Sequence, residues 1–221
     1  MQTTTKSIVE NRDCMAAMAE FPDKFFDLAV VDPPYGIGEH GQRMNRTERW
    51  KNPPPIKYKR IEWDSQPPTE QYFYYLYTKS KNLIIWGANH FIDNFPFYAN
   101  SSCWLVWDKK TAGDFADCEM AWTSYKTAIR KFEYLWSGFR KEKPEPRIHP
   151  TQKPVALYDW IYKNYLPDGG KVLDTHLGSG SNRIAADKAG NIDFWGYELD
   201  KDYYEAQEKR WKDYKQQIKL F

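Results

Sequence analysis

Long apolar runs, paired cysteines and a strong net charge are all missing from this chain of 221 residues. Its apolar runs are far too short to span a bilayer, and its N-terminal segment lacks the charged-then-apolar layout of a secretory signal. Three cysteines, Cys14, Cys103 and Cys118, show no Cys-x-x-Cys spacing, so neither disulfides nor a zinc site is predicted. We therefore expect an intracellular protein with no membrane partner and no bound metal.

The composition favours one folded domain. Hydrophobic residues make up 41% of the chain and aromatic residues 17%, which excludes a disordered protein. A chain of this length can bury a sizeable core, and it contains no internal repeat and no linker that would divide it. We predict a single domain over residues 1–221, with a basic loop inserted at about residues 36–67.

Apolar runs alternate with helical patterns along the chain, which predicts an α/β domain with a largely parallel sheet. The predicted strands cover residues 7–10, 25–31, 83–86, 102–107, 119–125, 132–136, 171–174 and 194–198, and the predicted helices 14–20, 69–80, 155–165, 181–189 and 202 onward. Ligands of such sheets bind where the strands end. Three stretches meet that condition: residues 32–35, 174–181 and 196–200.

A nucleoside site is predicted at the glycine turn Gly178-Ser179-Gly180. The glycines let the backbone approach a ligand, and Ser181 can cap the next helix, whose N-terminus attracts anionic groups. Glu198 lies 18 residues beyond Gly180, near the distance at which dinucleotide folds place an acid on ribose hydroxyls. Because Arg183 replaces the third glycine of G-x-G-x-x-G, a nucleoside with a small charged tail, such as S-adenosylmethionine, fits better than a dinucleotide. A plain strand–helix connection is the alternative.

The stretch Asp32-Pro33-Pro34-Tyr35 carries the groups needed to activate a nucleobase amine. The lone pair of an exocyclic amine is delocalised into the ring, so the nitrogen must be pulled toward tetrahedral geometry before it takes a methyl group. The Asp32 carboxylate and the Pro33 carbonyl can accept hydrogen bonds from its two protons. Tyr35 offers a flat face to a flipped-out base. An ordinary Asp-Pro turn at the end of a strand is the alternative.

Residues 43–60 contain seven basic side chains and one acid, Glu48. Such a stretch is either a solvated surface loop or an arm that contacts the phosphates and bases of a nucleic acid. The charge pattern alone supports both interpretations equally. The predicted substrate contacts in this arm are Arg43, Arg46, Arg49 and Lys51.

Several motifs, in their order along the chain, resemble the β class of DNA amino-methyltransferases, and its small phage-type members in particular. Residues 32–36 (DPPYG) are similar to the catalytic motif of that class, and residues 149–154 (HPTQKP) to its H-x-T-x-K-P stretch. Residues 174–182 (DTHLGSGSN) resemble its cofactor loop, residues 196–200 (GYELD) its acidic strand end, and residues 12–14 (RDC) its G-D-x segment. The resemblance covers nearly the whole chain.

The resemblance implies a Rossmann-like methyltransferase fold that depends on S-adenosyl-L-methionine. Its sheet would have seven mostly parallel strands with one antiparallel strand. The segment order would be circularly permuted, with the catalytic motif before the cofactor loop. The strand from Ser7 would lie beside the strand that ends at Glu198.

The resemblance also assigns roles to single residues. Catalysis would fall to Asp32, Pro33, Pro34 and Tyr35. Trp122 or Tyr125 would close the target base from its other side, although Trp122 is equally compatible with a place in the core. The residues implied to bind the cofactor are Asp13, Cys14, Asp32, His149, Thr151, Lys153, Asp174, His176, Gly178, Ser179, Gly180, Ser181, Glu198 and Leu199.

Two features depart from the family pattern. Thr175-His176 replaces the Pro-Phe of the cofactor loop, so the cofactor would have one apolar neighbour fewer. The segment between Trp136 and His149 is too short for the separate target-recognition region that family members usually carry. The basic loop therefore becomes the best candidate for contact with DNA.

The predicted activity is methylation of the exocyclic N6 amine of adenine in DNA, because Asp-Pro-Pro-Tyr resembles the adenine branch of the family. The alternatives are an RNA adenine-N6 methyltransferase, a DNA cytosine-N4 methyltransferase and, least favoured, a non-catalytic DNA-binding relative. We expect a monomer or homodimer in the cytoplasm of a bacterium or a phage-infected cell, where such enzymes serve DNA modification and restriction–modification.

Overall fold

The computed structural model describes residues 5–38, 64–97, 99–110, 116–137, 140–142 and 145–218. The strands in these ranges are β1 (Ser7–Asn11), β2 (Phe26–Val31), β3 (Ser80–Trp86), β4 (Trp104–Asp108), β5 (Cys118–Thr123), β6 (Arg130–Glu133), β7 (Trp136–Ser137), β8 (Arg140–Lys141), β9 (Gly170–Asp174) and β10 (Ile192–Glu198). The α-helices are α1 (Cys14–Ala19), α2 (Glu70–Lys79), α3 (Val155–Tyr165), α4 (Ser181–Ala189) and α5 (Lys201–Ile218). Within the described ranges, none of these helices is both long and apolar enough to cross a membrane.

Eight strands form one mixed sheet in the order β1-β10-β9-β2-β3-β5-β4-β6. β5 pairs antiparallel with β3 and β4, whereas the other neighbours pair in parallel. The predicted α/β fold with one antiparallel strand is therefore confirmed, and so is the pairing of the strand from Ser7 with the strand that ends at Glu198. The late strands β9 and β10 lie between the early strands β1 and β2, as the permuted segment order requires.

The seven strands that the resemblance implied are one too few, whereas the eight apolar runs gave the right number: β6, parallel to β4, is part of the sheet. The strand predicted over residues 132–136 is also divided. β6 ends at Glu133, and Trp136 begins the short strand β7, which pairs with β8 in a separate hairpin. The apolar pattern continues from β6 into β7. It therefore indicates which side chains are buried, but it does not show where one strand ends and the next begins.

Helices cover both faces of the sheet, as the continuous apolar runs of β2 and β3 require. On one face, Leu28 and Ile84 belong to a core that includes side chains of α3 and α4. On the other face, Ala29 and Ile85 belong to a core that includes side chains of α1 and α2. Successive residues of a strand point to opposite faces, so each central strand contributes to both cores.

The carboxyl ends of β2, β9 and β10 meet at one edge of the sheet, which brings the three predicted stretches together. Asp32 follows β2, Thr175 follows β9 and Leu199 follows β10. β5 runs in the opposite direction, so its first residues, Cys118 and Glu119, lie at this same edge. Arg43, Arg46, Arg49 and Lys51 lie outside the described residues, so the predicted contacts of the basic loop remain predictions.

Candidate active site

A cavity of about 560 Å³ opens at this edge of the sheet. Its volume suits a small molecule of the size of a nucleoside derivative. The predicted site residues in its wall are Asp13, Cys14, Asp32, Pro34, His149, Thr151, Lys153, His176, Gly178, Ser179, Glu198 and Leu199. The wall also contains residues that were not predicted: Arg12, Gln152, Tyr158, Thr175, Leu177, Asp200 and Tyr203.

Glu198 ties the turn after β9 to the end of β10. Its Oε2 atom accepts a hydrogen bond from the backbone N–H of Gly178 at 2.8 Å, and its Oε1 atom accepts one from the N–H of Asp200 at 2.9 Å. Burial raises the pKa of the Glu198 carboxyl group, and these backbone donors oppose that shift. Leu199 beside it is exposed at the cavity. A carboxylate and an apolar side chain in succession suit the ribose and the base of a nucleoside.

Asp174 supports the same turn from behind the cavity wall, where it is buried. Its carboxylate accepts hydrogen bonds from Nδ2 of Asn182 at 2.9 Å and from the backbone N–H of His176 at 3.1 Å. Burial outweighs these donors and raises the pKa of Asp174 to about 7.

The prediction that Ser181 caps α4 is wrong. Gly180 occupies the N-cap position at φ 72°, in the left-handed region that favours glycine, and Ser181 is the first residue of the helix. The Ser181 hydroxyl instead accepts a hydrogen bond from Nη1 of Arg210 at 2.9 Å, and this nitrogen also donates to the carbonyl of Ser179 at 2.8 Å. α5 therefore holds the glycine turn through Arg210.

The two histidines in the cavity wall are neutral near pH 7. Burial lowers the pKa of His149 to about 3 and that of His176 to about 4. The His149 ring packs edge-on against Tyr203, with 4.3 Å between the ring centroids, and its Nδ1 atom lies 3.1 Å from the Thr151 hydroxyl. His149 and His176 therefore line the cavity as uncharged rings.

The turn of residues 32–36, predicted to be catalytic, is fixed by a buried acid that the sequence did not reveal. Asp64 accepts hydrogen bonds on Oδ1 from the backbone N–H groups of Tyr35 and Gly36, at 2.5 and 2.8 Å. The Tyr35 hydroxyl donates to Oδ1 of Asp32 at 2.7 Å. The turn after β2 is thus held at its backbone and at its two functional side chains.

Gly87 and His90 contact the Tyr35 ring, and neither was predicted. The His90 ring stacks on Tyr35, with 5.1 Å between centroids and 15° between planes. Gly87 has a φ of 70°, and a Cβ atom there would lie 2.1 Å from Cε1 of Tyr35. The glycine directly after the buried strand β3 was the available signal, since Gly at a strand end often permits close packing.

Lys153 lies between two carboxylates, and the second of them was not predicted. Its Nζ atom donates to Oδ2 of Asp32 at 2.6 Å and to the Tyr35 hydroxyl at 3.2 Å, and lies 3.0 Å from Oε2 of Glu119. The other carboxylate oxygen of Glu119 pairs with Lys109. No local pattern in the sequence marks Glu119, because its place at this edge depends on the antiparallel direction of β5.

The charges in this cluster shift one another. Burial raises the pKa of the Asp32 carboxyl group, although Lys153 opposes that shift. Burial also disfavours the ionised form of Glu119, but Lys153 and Lys109 outweigh it and lower the pKa of Glu119 to about 2. Burial favours the neutral amine of Lys153, yet the two carboxylates hold its pKa above the ordinary value.

The structure places Trp122 and Tyr125 away from the cavity, contrary to the role implied for them. Trp122 is buried against Phe95 and Phe97, and its Nε1 atom donates to the carbonyl of Ala99 at 2.6 Å. The Tyr125 hydroxyl donates to the carbonyl of Tyr165 at 2.8 Å. Because β5 begins at the cavity edge of the sheet, Trp122 near its end and Tyr125 after it lie closer to the opposite edge. The core position considered for Trp122 is the correct one.

A family model described as DNA methylase matches residues 65–209, well over half of the chain. The chain belongs to the N6/N4 DNA methylase family. Among similar proteins, YubD of Escherichia coli (strain K12), which bears the name of a methylase, is 28% identical over 90% of this chain and 87% of its own length. The type II methyltransferase M.ScaI of Streptomyces caespitosus is 22% identical over 90% of this chain and 79% of its own length.

Solved structures share the methylase fold. PvuII DNA methyltransferase, a cytosine-N4-specific enzyme, superposes with a TM-score of 0.59 and 14% identity, over 93% of this chain and 87% of the other. M1.HpyAVI in complex with S-adenosylmethionine superposes with a TM-score of 0.52 and 19% identity, over 92% of this chain and 98% of the other. Family membership confirms the resemblance seen in the motifs, a DNA substrate and S-adenosyl-L-methionine as the cofactor.

Proposed function

We propose that this methylase transfers a methyl group from S-adenosyl-L-methionine to the exocyclic N6 amine of adenine in DNA, on a base flipped out of the duplex. The observation that carries the proposal is the position of Asp32. Its carboxylate lies in the wall of the cavity, at the end of β2 and within hydrogen-bond distance of Tyr35. A methyl donor bound in the cavity would therefore lie beside a target amine that is hydrogen-bonded to Asp32 at the cavity edge.

The residues of the cavity fit this cofactor. Carboxylates outnumber basic side chains in the wall, which favours a ligand with a net positive charge. When bound, S-adenosylmethionine supplies an electrophilic methyl group on a sulfonium. We assign its ribose hydroxyls to Glu198, its adenine to Leu199 and the Asp13-Cys14 segment, and its charged tail to Thr151 and the glycine turn.

The catalytic motif supplies acceptors for the amine of the target base. The Asp32 carboxylate and the Pro33 carbonyl would each accept a hydrogen bond from that amine, which draws the nitrogen toward tetrahedral geometry. Asp64 fixes the backbone of the motif, so the acceptors need little rearrangement when the base arrives. Tyr35 would contact the flat face of the base, and Pro34 would contact its edge.

The Asp-Pro-Pro-Tyr sequence supports adenine as the target, and cytosine N4 is the second candidate. Both bases present an exocyclic amine to the same pair of acceptors, and the similar PvuII enzyme acts at cytosine N4. The RNA adenine alternative is disfavoured, because the chain belongs to a family of DNA methylases. The bacterial origin of two relatives supports a bacterial or phage source. Location and oligomeric state remain predictions.

The proposal is tested by incubating the purified chain with methyl-labelled S-adenosylmethionine and with unmethylated duplex DNA, single-stranded DNA or RNA. Digestion to nucleosides should show the label in N6-methyladenine from DNA. Label in N4-methylcytosine, or in RNA nucleosides alone, would replace the proposal with the corresponding alternative. The proposed groups need no metal, so EDTA should leave the activity unchanged.

A further inference from the structure

We propose that Glu119 is a positioning residue of the reaction, which takes over the ammonium group of Lys153 when the target amine binds to Asp32. The inference rests on the proposed function, because it assumes that Asp32 accepts a hydrogen bond from an exocyclic amine. It adds a residue from β5 to a site otherwise built from the strand ends of β2, β9 and β10.

Both carboxylate oxygens of Asp32 already have partners in the structure. Oδ1 accepts from the Tyr35 hydroxyl at 2.7 Å, and Oδ2 accepts from Lys153 at 2.6 Å. An ammonium group has three N–H donors, and Lys153 donates to Asp32 and Tyr35. Oε2 of Glu119 is an ion-pair partner of the same nitrogen but accepts no hydrogen bond from it. Each oxygen of Asp32 can accept a second hydrogen bond, but an amine that binds to Asp32 shares the carboxylate charge with these donors and weakens the pair with Lys153.

Release of Lys153 from Asp32 would be costly without a second carboxylate. The Lys153 side chain is only 3% exposed, and a buried charge that loses its partner is strongly destabilising. Oε2 of Glu119 lies 3.0 Å from the same nitrogen, so a small shift of the ammonium group keeps it paired. Lys109 holds the other carboxylate oxygen of Glu119, which fixes this second partner in place.

The four charges balance, with Asp32 and Glu119 opposite Lys153 and Lys109. Neutralising Glu119 leaves two cations beside a single carboxylate. Lys153 then retains Asp32 as its carboxylate partner, and the Lys153–Asp32 pair tightens. Asp32 becomes a poorer acceptor for the target amine, although the cofactor groups around Glu198 are unchanged.

The sign of the expected pH effect follows from the groups that face Asp32. These are Tyr35 in the motif, Lys153 before α3, Tyr158 on α3, Glu119 on β5, Tyr72 on α2 and Asp174 at the end of β9. Glu119 raises the pKa of Asp32 through like-charge repulsion, whereas Lys153 lowers it. Removal of the Glu119 charge, together with a tighter Lys153 contact, lowers the pKa of Asp32.

The test is Glu119→Gln, which keeps the shape of the side chain and removes its charge. Turnover at saturating DNA and cofactor should fall by about tenfold or more, while the Kd for S-adenosylmethionine stays within about twofold. The low-pH limb of the turnover profile should move to lower pH. Glu119→Asp, which keeps the charge, should leave that limb in place and recover part of the turnover, and it serves as the test if the glutamine variant does not fold.

Glu133→Gln is the matched control. Glu133 ends strand β6, which β4 separates from β5, and pairs with Lys110 and Lys131, but it is exposed and lies outside the cavity wall. This control should leave turnover and pH profile unchanged. Wild-type turnover and an unmoved low-pH limb in Glu119→Gln would overturn the role of Glu119, as would a parallel loss of cofactor affinity. Absence of methyl transfer to DNA by the wild type would instead refute the proposed function.

Discussion

Glu198 acts as a link between two strand ends, because each of its carboxylate oxygens accepts a hydrogen bond from a different backbone segment. Glu198→Ala removes this link and the proposed acceptor of the ribose hydroxyls. Binding of S-adenosylmethionine should weaken by about 1.5–3 kcal/mol, the contribution of hydrogen bonds to a charged group. Titration calorimetry measures the change.

Glu205→Ala is the control for this prediction, since Glu205 lies on the exposed side of α5 and pairs across one helical turn with Lys201. Its cofactor affinity should equal that of the wild type. An unchanged affinity in Glu198→Ala would remove Glu198 from the cofactor site.

The site residues that could be predicted from the sequence are those that stand at the end of a predicted strand. Asp32 and Glu198 follow apolar runs and were predicted on that ground. Asp64 was not predicted, because its role rests on hydrogen bonds to a backbone 29 residues earlier in the chain. Glu119 was missed since its place depends on strand direction. Such contacts across the fold leave no local pattern.

The turn after β3 determines where the Tyr35 ring lies. Gly87 adopts a φ of 70°, and any Cβ atom there would overlap the ring. Gly87→Ala should therefore displace Tyr35 and reduce methyl transfer by about tenfold or more, while cofactor affinity is retained, because only the base side of the site changes. Turnover and the Kd for the cofactor, measured on the same preparation, test whether methyl transfer falls while cofactor binding is retained.

Gly190→Ala provides a control with the same backbone strain. Gly190 has a φ of 75°, and a Cβ atom there would meet nothing within 4 Å. It should lose about 1 kcal/mol of stability, as left-handed backbone costs a residue with a Cβ atom, and keep full activity. Equal activity in the two alanine variants would show that Tyr35 does not depend on Gly87.

The basic arm at residues 43–60 is an element whose role is tested through salt dependence. Changing Arg46, Arg49 and Lys51 together to alanine should weaken binding to unrelated duplexes alike. The slope of log affinity against log salt should fall by about 0.9 for each phosphate that the arm no longer neutralises. Weaker discrimination between duplexes with little change in slope would instead indicate base contacts.

The matched control removes three lysines from the exposed face of α5: Lys201, Lys209 and Lys212. It changes the net charge equally and should leave the slope as in the wild type. Equal slopes in both triple variants would mean that the arm is a solvated surface loop.

Across the whole molecule, the alternation of apolar runs and helices predicted the α/β fold, and the family motifs predicted one antiparallel strand. The apolar runs also predicted a strand near β6, but its division into β6 and β7 was not predictable, since pairing partners are set by long-range contacts. The direction of β5 had the largest consequence for the site. It moves Trp122 and Tyr125 away from the cavity and brings Glu119 within 3.0 Å of Lys153, a residue of the cavity wall.

Cofactor binding and amine activation are separate tasks at one cavity, and we assign the second task to Asp32. This division of labour is tested by comparing wild type and Asp32→Asn for S-adenosylmethionine affinity and for single-turnover methyl transfer to DNA. We expect affinity to stay within about twofold, while transfer falls by roughly 100-fold or more, as when a preorganised transition-state interaction is removed. Equal decreases in affinity and transfer, or a variant that still methylates at the wild-type rate, would contradict the assignment of Asp32.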